Sequence, residues 1–383
     1  MLSYKNVPIL RILIFLIVFA PQTSQAQWIK TSPTGADGSG PFDTLGNRFY
    51  AGGGDGPMTW TSDAGNRWHD ASNDFPGGEG IQSIASIGNV LIAGSGPYNN
   101  PFYFSTDSGA SWNPCNWHGG FGPAIYAMTE HDGYVFAGSN NWGIYRSSDS
   151  GQDWELDNNG LPSMWTLGTY SFAAYDSILF AGSTIEYIYR TTNDGATWDT
   201  VRLNPDIYVD DVIQSLTVIG HVVLAATSGG LYRSTDLGLT WNQLDTALFY
   251  YRHDPRSLTT VNGYVVVGMK NTILRSRDSG LTWQSFAQGW PSGTDATYLT
   301  AFDGYFFAGS NDGPGIWRRP ISDLAGGDYV SPPTKVTQSS GPLEIYDVLG
   351  RLIYHGAAKE KPTLPGGLYF ERQGTIVQKI WVP

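Results

Sequence analysis

The sequence predicts an all-β fold: a seven-bladed β-propeller closed by its N-terminal strand, followed by a small β-sandwich-like C-terminal module. Three observations carry this. The phrase Ser/Thr-x-Asp-x-Gly-x-x-Trp recurs six times, its acidic position falling at Asp63, Asp107, Asp149, Asn193, Asp236 and Asp278, with spacings of 42–44 residues. Strands ending in small residues recur in step with the phrase, in seven copies from residues 49–52 to residues 305–309. A lone segment near the start, Gln27-Trp28-Ile29, has the form of a Trp-led fourth strand that the last unit lacks. So regular a period in a chain of short strands indicates a closed radial array of small sheets.

Taken in chain order, residues 1–26 read as a secretory leader. Lys5 and Arg11 precede the apolar run 12–20, and Ser24-Gln25-Ala26 offers a small-residue cleavage site. The run is short for a bilayer span, and no second long apolar stretch follows, so no transmembrane segment is expected in the mature chain. Residues 27–324 hold the repeats. Turn pairs such as Gly88-Asn89, Asp132-Gly133 and Asn262-Gly263 join the first two strands of a unit, as primed hairpin turns require. A third strand leads directly into each phrase. In the phrase itself the Asp side chain can accept backbone N–H bonds, the glycine two places on tolerates positive φ, and Trp brings apolar surface under the turn. Asn193 keeps the acceptor oxygen without the charge. Each unit is thus four strands, a to d, with the phrase on the c–d turn. The seventh has strands a to c only, and the segment 27–29 is expected to pair beside residues 316–319, which removes two open edges.

Residues 325–341 are rich in Gly, Pro and Ser and read as a linker. Residues 342–383 then alternate as three or four strands.

The phrase resembles the Asp box of the BNR-type β-propellers, a superfamily spanning sialidases, sortilin-type receptors, xyloglucan hydrolases and Ycf48-type photosystem assembly factors. The resemblance covers most of residues 27–324. It implies that the boxes lie on the outer rim, away from ligands, and that the six boxed residues are structural. The tail, through Tyr346-Asp347, Gly350-Arg351, Gly367-Leu368-Tyr369 and Lys379 before an apolar end, resembles the type A C-terminal sorting domain of the type IX secretion system. It departs from that pattern at Ser331-Pro332-Pro333, where the family opens with a Pro-Asn-Pro-like start. The resemblance implies export through that machinery to the outer surface or surroundings of a Gram-negative bacterium.

The formal charge is −12, and −14 once the leader's two cations are removed. That argues against nucleic acid and anionic membranes as partners. A single cysteine, Cys115, cannot staple the monomer. Six histidines show no metal-ligand spacing, and no glycine loop opens a helix, so neither metal nor cofactor is expected.

By the same resemblance, the d–a and b–c loops face a ligand. They carry aromatic residues able to stack on sugars or anchor a protein: Trp117, Trp142, Trp165, Tyr187, Tyr208, Tyr251 and Trp290. Among their carboxylates, Asp210 and Asp211 are the candidates for glycoside hydrolysis, although neighbours in a strand point to opposite sides. A column of arginines (Arg146, Arg190, Arg233, Arg275, Arg318) recurs just before the boxes. It reads as rim residues pairing with loop acids rather than a sialidase triad, or else as a contact patch of the assembly-factor kind. The expected function is a secreted or cell-surface binding or scaffold protein recognising glycans or a surface protein. The alternative is an extracellular glycoside hydrolase working through loop carboxylates.

Overall fold

The computed structural model describes residues 27–31, 40–52, 58–71, 75–76, 80–96, 100–117, 122–162, 168–185, 187–203, 212–244, 254–310, 315–325, 343–347, 352–356, 367–373 and 376–382. The expected leader and nearly all of the linker lie outside the described residues. The chain divides into two compact units, Met1–Leu324 and Ala325–Pro383.

In the first unit seven four-stranded antiparallel sheets follow one another. Blade 3 shows the pattern: strand a Ile125–His131, b Tyr134–Ser139, c Ile144–Ser147 and d Glu155–Leu156. Strand a of each blade packs on strand a of the next, and that of blade 7 (Tyr298–Phe302) packs on that of blade 1 (Phe42–Leu45), so the blades form a closed ring. Blade 7 takes its fourth strand from the N-terminal end of the described chain. Ile29 pairs with Arg318 and Lys30 with Trp317, as the lone Trp-led segment predicts. Trp28 is 2% exposed; its N–H reaches Gln288 O at 2.9 Å and its Nε1 reaches Phe286 O at 2.8 Å.

The small residues of strand b have a packing cause. A Cβ on Gly94 would stand 2.3 Å from Ser83 Oγ and 2.8 Å from Ile125 of the next blade. A Cβ on Gly138 would meet Thr169 O at 2.6 Å. Glycine therefore lets neighbouring blades approach, and serine one strand inward fastens them: Ser83 Oγ donates to Ile125 O at 2.8 Å and Ser257 Oγ to Ala296 O at 3.0 Å. The core lies between blades. Ile92 and Phe102 of blade 2 pack with Ile125, Val135 and Trp154 of blade 3, and the Phe102 and Trp154 rings stack at 4.0 Å.

Each box is one hydrogen-bonded unit. In blade 2, Ser105 Oγ donates to Asp107 Oδ1 at 2.8 Å and accepts from Gly109 N at 2.8 Å, while Asp107 Oδ1 accepts from Ser111 N at 2.9 Å. The Ser111 hydroxyl is the largest of several hydrogen bonds that hold the Asp107 carboxyl down at about 2. Asn193 reproduces the geometry, accepting from Thr197 N at 3.0 Å. The residue after each boxed position also has positive φ, from +53° at Asp194 to +62° at Ser108 and Ser150. Replacing Asp278, which accepts from Thr282 N at 2.8 Å and from its hydroxyl at 2.6 Å, is expected to cost stability. Asp278→Ala should lose about 1–2 kcal/mol, measured as a fall in urea midpoint at unchanged slope.

The arginine column differs from its expectation as acid-paired rim residues. Its main partners are carbonyls of the next blade's box turn. Arg146 Nη1 donates to Asp194 O at 2.7 Å, Arg190 Nε to Leu237 O at 3.2 Å, Arg233 Nε to Ser279 O at 2.9 Å, and Arg318 to Ala64 O. Acids add to two of these: Glu155 lies 2.7 Å from Arg146 and Asp199 lies 3.8 Å from Arg190. The left-handed turn leaves an outward carbonyl free, and a guanidinium has donors enough to take it while pairing elsewhere. Blade 7 has no box, and Arg275 donates instead to Asp323 O and Leu324 O of a short 3-10 turn, Ile321–Leu324. The column latches blade to blade.

The second unit contains one antiparallel sheet of four strands, in the spatial order Leu352–Gly356, Leu343–Asp347, Gly367–Gln373 and Ile376–Val382.

Candidate functional site at the channel mouth

Strand a lines the central channel, and in blades 2 to 6 it begins with a β-bulge. In blade 3 Ile125 pairs with Ser139 and Ala127 with Gly138, leaving Tyr126 as the extra residue. The same slip isolates Gln82, Tyr170, Gln214 and Arg256 in their blades. A bulge bends its strand and re-aims one side chain. All five of these residues are half-buried. They stand at the end of the ring that carries the d–a and b–c loops, opposite the boxes.

The mouth opens into a cavity of about 270 Å³ to which all seven blades contribute. Tyr126 and Tyr170 stack there with ring centroids 4.7 Å apart and planes 14° from parallel. Burial, then the neighbouring Tyr126, raises the Tyr170 phenol above its ordinary value, so it remains a neutral hydrogen-bonding group at physiological pH. Gln214 adds an amide. Arg256 adds a guanidinium 3.8 Å from Asp254 and 3.9 Å from Asp295, both reached through the same nitrogen. Deeper in, Met128, Phe172, Leu216 and Leu258 make an apolar layer. The arrangement is an aromatic and polar rim over an apolar shaft, which suits stacking and hydrogen bonding.

The loop aromatics separate by environment. Trp142, in the b–c loop of blade 3, is 44% exposed and offers its ring at the same end as Tyr126. Tyr187 is half-buried against the core shared by blades 3 and 4. Trp117 is half-buried too, edge-on to Tyr145 at 5.4 Å. Trp290 does not offer a free face. It is 8% exposed, edge-on to Trp28 at 5.5 Å, and its Nε1 donates to Thr294 O at 2.9 Å, so both ring and N–H serve the ring closure. Trp165, Tyr208, Tyr251, Asp210 and Asp211 lie outside the described residues. Cys115 is buried, and burial pushes its thiol up to about 12, which leaves little thiolate for chemistry.

The bulge residues were missed as site residues, yet the repeat contains a signal for them. The aligned starts of strand a read Ile81-Gln82-Ser83, Ile125-Tyr126-Ala127, Thr169-Tyr170-Ser171, Ile213-Gln214-Ser215 and Pro255-Arg256-Ser257. The first column is apolar except for Thr169 and the third is small, while the middle one carries large polar or aromatic side chains.

No protein-family model and no curated protein matches the chain. Solved structures do. YCF48 from Cyanidioschyzon merolae superposes with a TM-score of 0.61 at 13% identity, over 78% of this chain and 99% of that one. The extracellular domain of BT4673 from B. thetaiotaomicron gives 0.62 at 15% identity, over 93% of this chain and 47% of that one. The GH74 xyloglucanase from Xanthomonas campestris gives 0.60 at 15% identity, over 79% of this chain and 55% of that one. The chain spans only about half the length of the last two. Another YCF48 structure, with a TM-score of 0.60 and 16% identity over 77% of this chain and 94% of that one, has a D1 peptide bound. These likenesses are of fold, that of the seven-bladed β-propeller described above.

Proposed function

We propose that this chain is an exported binding or scaffold protein that takes a glycan or a surface protein at the loop-bearing end of its propeller. The carrying observation is the bulge ring, where Tyr126 and Tyr170 stack at 4.7 Å over a cavity reached by every blade. Such a rim on a rigid scaffold is where binding residues concentrate. The leader-like start and the sorting-like tail support export through type IX machinery to the outer surface of a Gram-negative cell or beyond. Neighbouring folds include a peptide-bound protein and a glycoside hydrolase, so both ligand classes are tested together.

The hydrolase alternative has less support among the described residues. Two described acids beside Arg256 at the mouth, Asp254 and Asp295, share one guanidinium nitrogen. That arrangement suits a charge-neutralised clasp better than a proton-holding general acid. Glycan arrays, pull-down from cell-surface extracts and a polysaccharide hydrolysis screen separate the readings. Binding without turnover is expected, weakened about tenfold or more by Tyr126→Ala with Tyr170→Ala and further by Trp142→Ala. Turnover abolished by Asp210→Asn or Asp211→Asn would overturn it in favour of the hydrolase.

A further inference from the structure

His131 ends strand a of blade 3, so that strand carries Tyr126 at the channel mouth and His131 at the opposite, box-bearing end. Asp132 begins the a–b turn that follows. Asp194 lies one place past the boxed Asn193 of blade 4. These three residues, from two blades, each bring a ligand atom to within 4.8 Å of the other two. The His131 side chain is 5% exposed, and its Nε2 is buried without a hydrogen-bond partner. The nearest charged oxygen, Asp132 Oδ2, stands 3.7 Å away, beyond hydrogen-bond reach. An orphaned buried ring nitrogen is costly, and here it is aimed at two carboxylates.

We propose that His131, Asp132 and Asp194 form a site for a divalent cation of the zinc type, which ties blade 3 to blade 4 on the box-bearing end. One imidazole nitrogen and two carboxylate oxygens suit Zn²⁺, with water completing the shell. Ca²⁺ and Mg²⁺ favour sites made of oxygen alone. Asp132 is 54% exposed, so an ion has an open approach. Arg146, the nearest described arginine to donate into this turn, is already committed. It donates to the backbone carbonyl of Asp194 at 2.7 Å and pairs with Glu155 at 2.7 Å. The backbone also pre-positions both acids, since Asp132 and Asp194 hold φ of +49° and +53°.

The test titrates ZnCl₂ into the metal-free full chain by calorimetry and follows melting with and without zinc. One equivalent should bind and raise the melting temperature. Asp194→Asn keeps a residue that tolerates positive φ, and His131→Gln removes the nitrogen. Each should weaken zinc affinity at least about tenfold and remove the thermal shift. Unchanged affinity in Asp194→Asn, no zinc binding at all, or Ca²⁺ binding as tightly as Zn²⁺ would each overturn the assignment. If His131→Gln fails to fold, Asp194→Asn with Asp132→Asn decides the matter by the same readouts.

Discussion

Trp28→Ala is expected to destabilise the propeller by about 3–5 kcal/mol, the range for truncating a fully buried tryptophan. The closing strand is only two residues long, Ile29–Lys30, and cannot hold itself in place by its ladder alone. Trp28 anchors it. Its ring meets Phe286 edge-on at 5.9 Å and Trp290 at 5.5 Å, and its two N–H groups reach carbonyls that follow blade 6. On the other side Thr31 N donates to Ile316 O at 2.8 Å, and Thr31 Oγ1 accepts from the box tryptophan Trp68 of blade 1 at 3.0 Å. The segment therefore joins blades 6, 7 and 1. Losing its anchor also frees an edge of strand c in blade 7, a template for self-association. Urea unfolding gives the energetic loss, and light scattering reports the association. Ile29→Ala is the control, because Ile29 is 42% exposed and should change stability by about 0.5 kcal/mol or less. Equal effects from the two variants would show that closure does not depend on the tryptophan.

That closure was legible because a radial repeat is a counting problem. Six boxes, seven small-ended strands and one unattached Trp-led segment leave a single arrangement without open edges. The box chemistry was legible for a related reason: its hydrogen bonds are local, running from residue i to i+4, so spacing encodes geometry. The arginine column was visible but its partners were not, because the acceptors are backbone carbonyls of the following blade, which no side-chain type announces. Tyr126 and Tyr170 escaped for the complementary reason. A bulge is one residue of register slip, and register belongs to a pair of strands. Residue type alone cannot distinguish a loop aromatic facing solvent from one folded inward, as Trp290 is over Trp28. His131, Asp132 and Asp194 share no short-range spacing at all; only the packing of one blade on the next brings them together.

The stability of the propeller is expected to fall as pH rises from about 4 to about 6.5, opposite to the usual behaviour of a carboxylate-rich protein. Two acids cause it, one half-buried and one buried. Asp43, in strand a of blade 1, has an Oδ2 that is buried without a hydrogen-bond partner, and burial raises its carboxyl to about 6 against weaker lowering by the Thr44 N–H and Ser86 hydroxyl. Asp157 is likewise raised by burial to about 6, with Arg146 at 4.0 Å only partly opposing. In each case the folded state binds the proton more tightly than the unfolded chain, whose carboxyl titrates near 3.8. The folded state therefore has its full advantage below the unfolded value, loses it through the window between the two values, and is flat above. A shift of this size corresponds to at most about 3 kcal/mol per group. Solvent reaching half-buried Asp43 reduces that to about 1–2 kcal/mol. The box carboxylates act in the other direction, but only below about pH 4, since hydrogen bonds hold Asp107 near 2 and lower Asp236 and Asp278 as well. The two trends therefore act on opposite sides of about pH 4. Asp43→Asn isolates the cause: it should flatten part of the decline and raise stability at pH 7 by about 1–2 kcal/mol, read from melting curves between pH 4 and 7.5. A variant less stable than the parent at pH 7 would mean that Asp43 gains from being charged in the fold and that its buried oxygen has a partner in solution, and an unchanged profile would mean that folding does not shift its carboxyl at all.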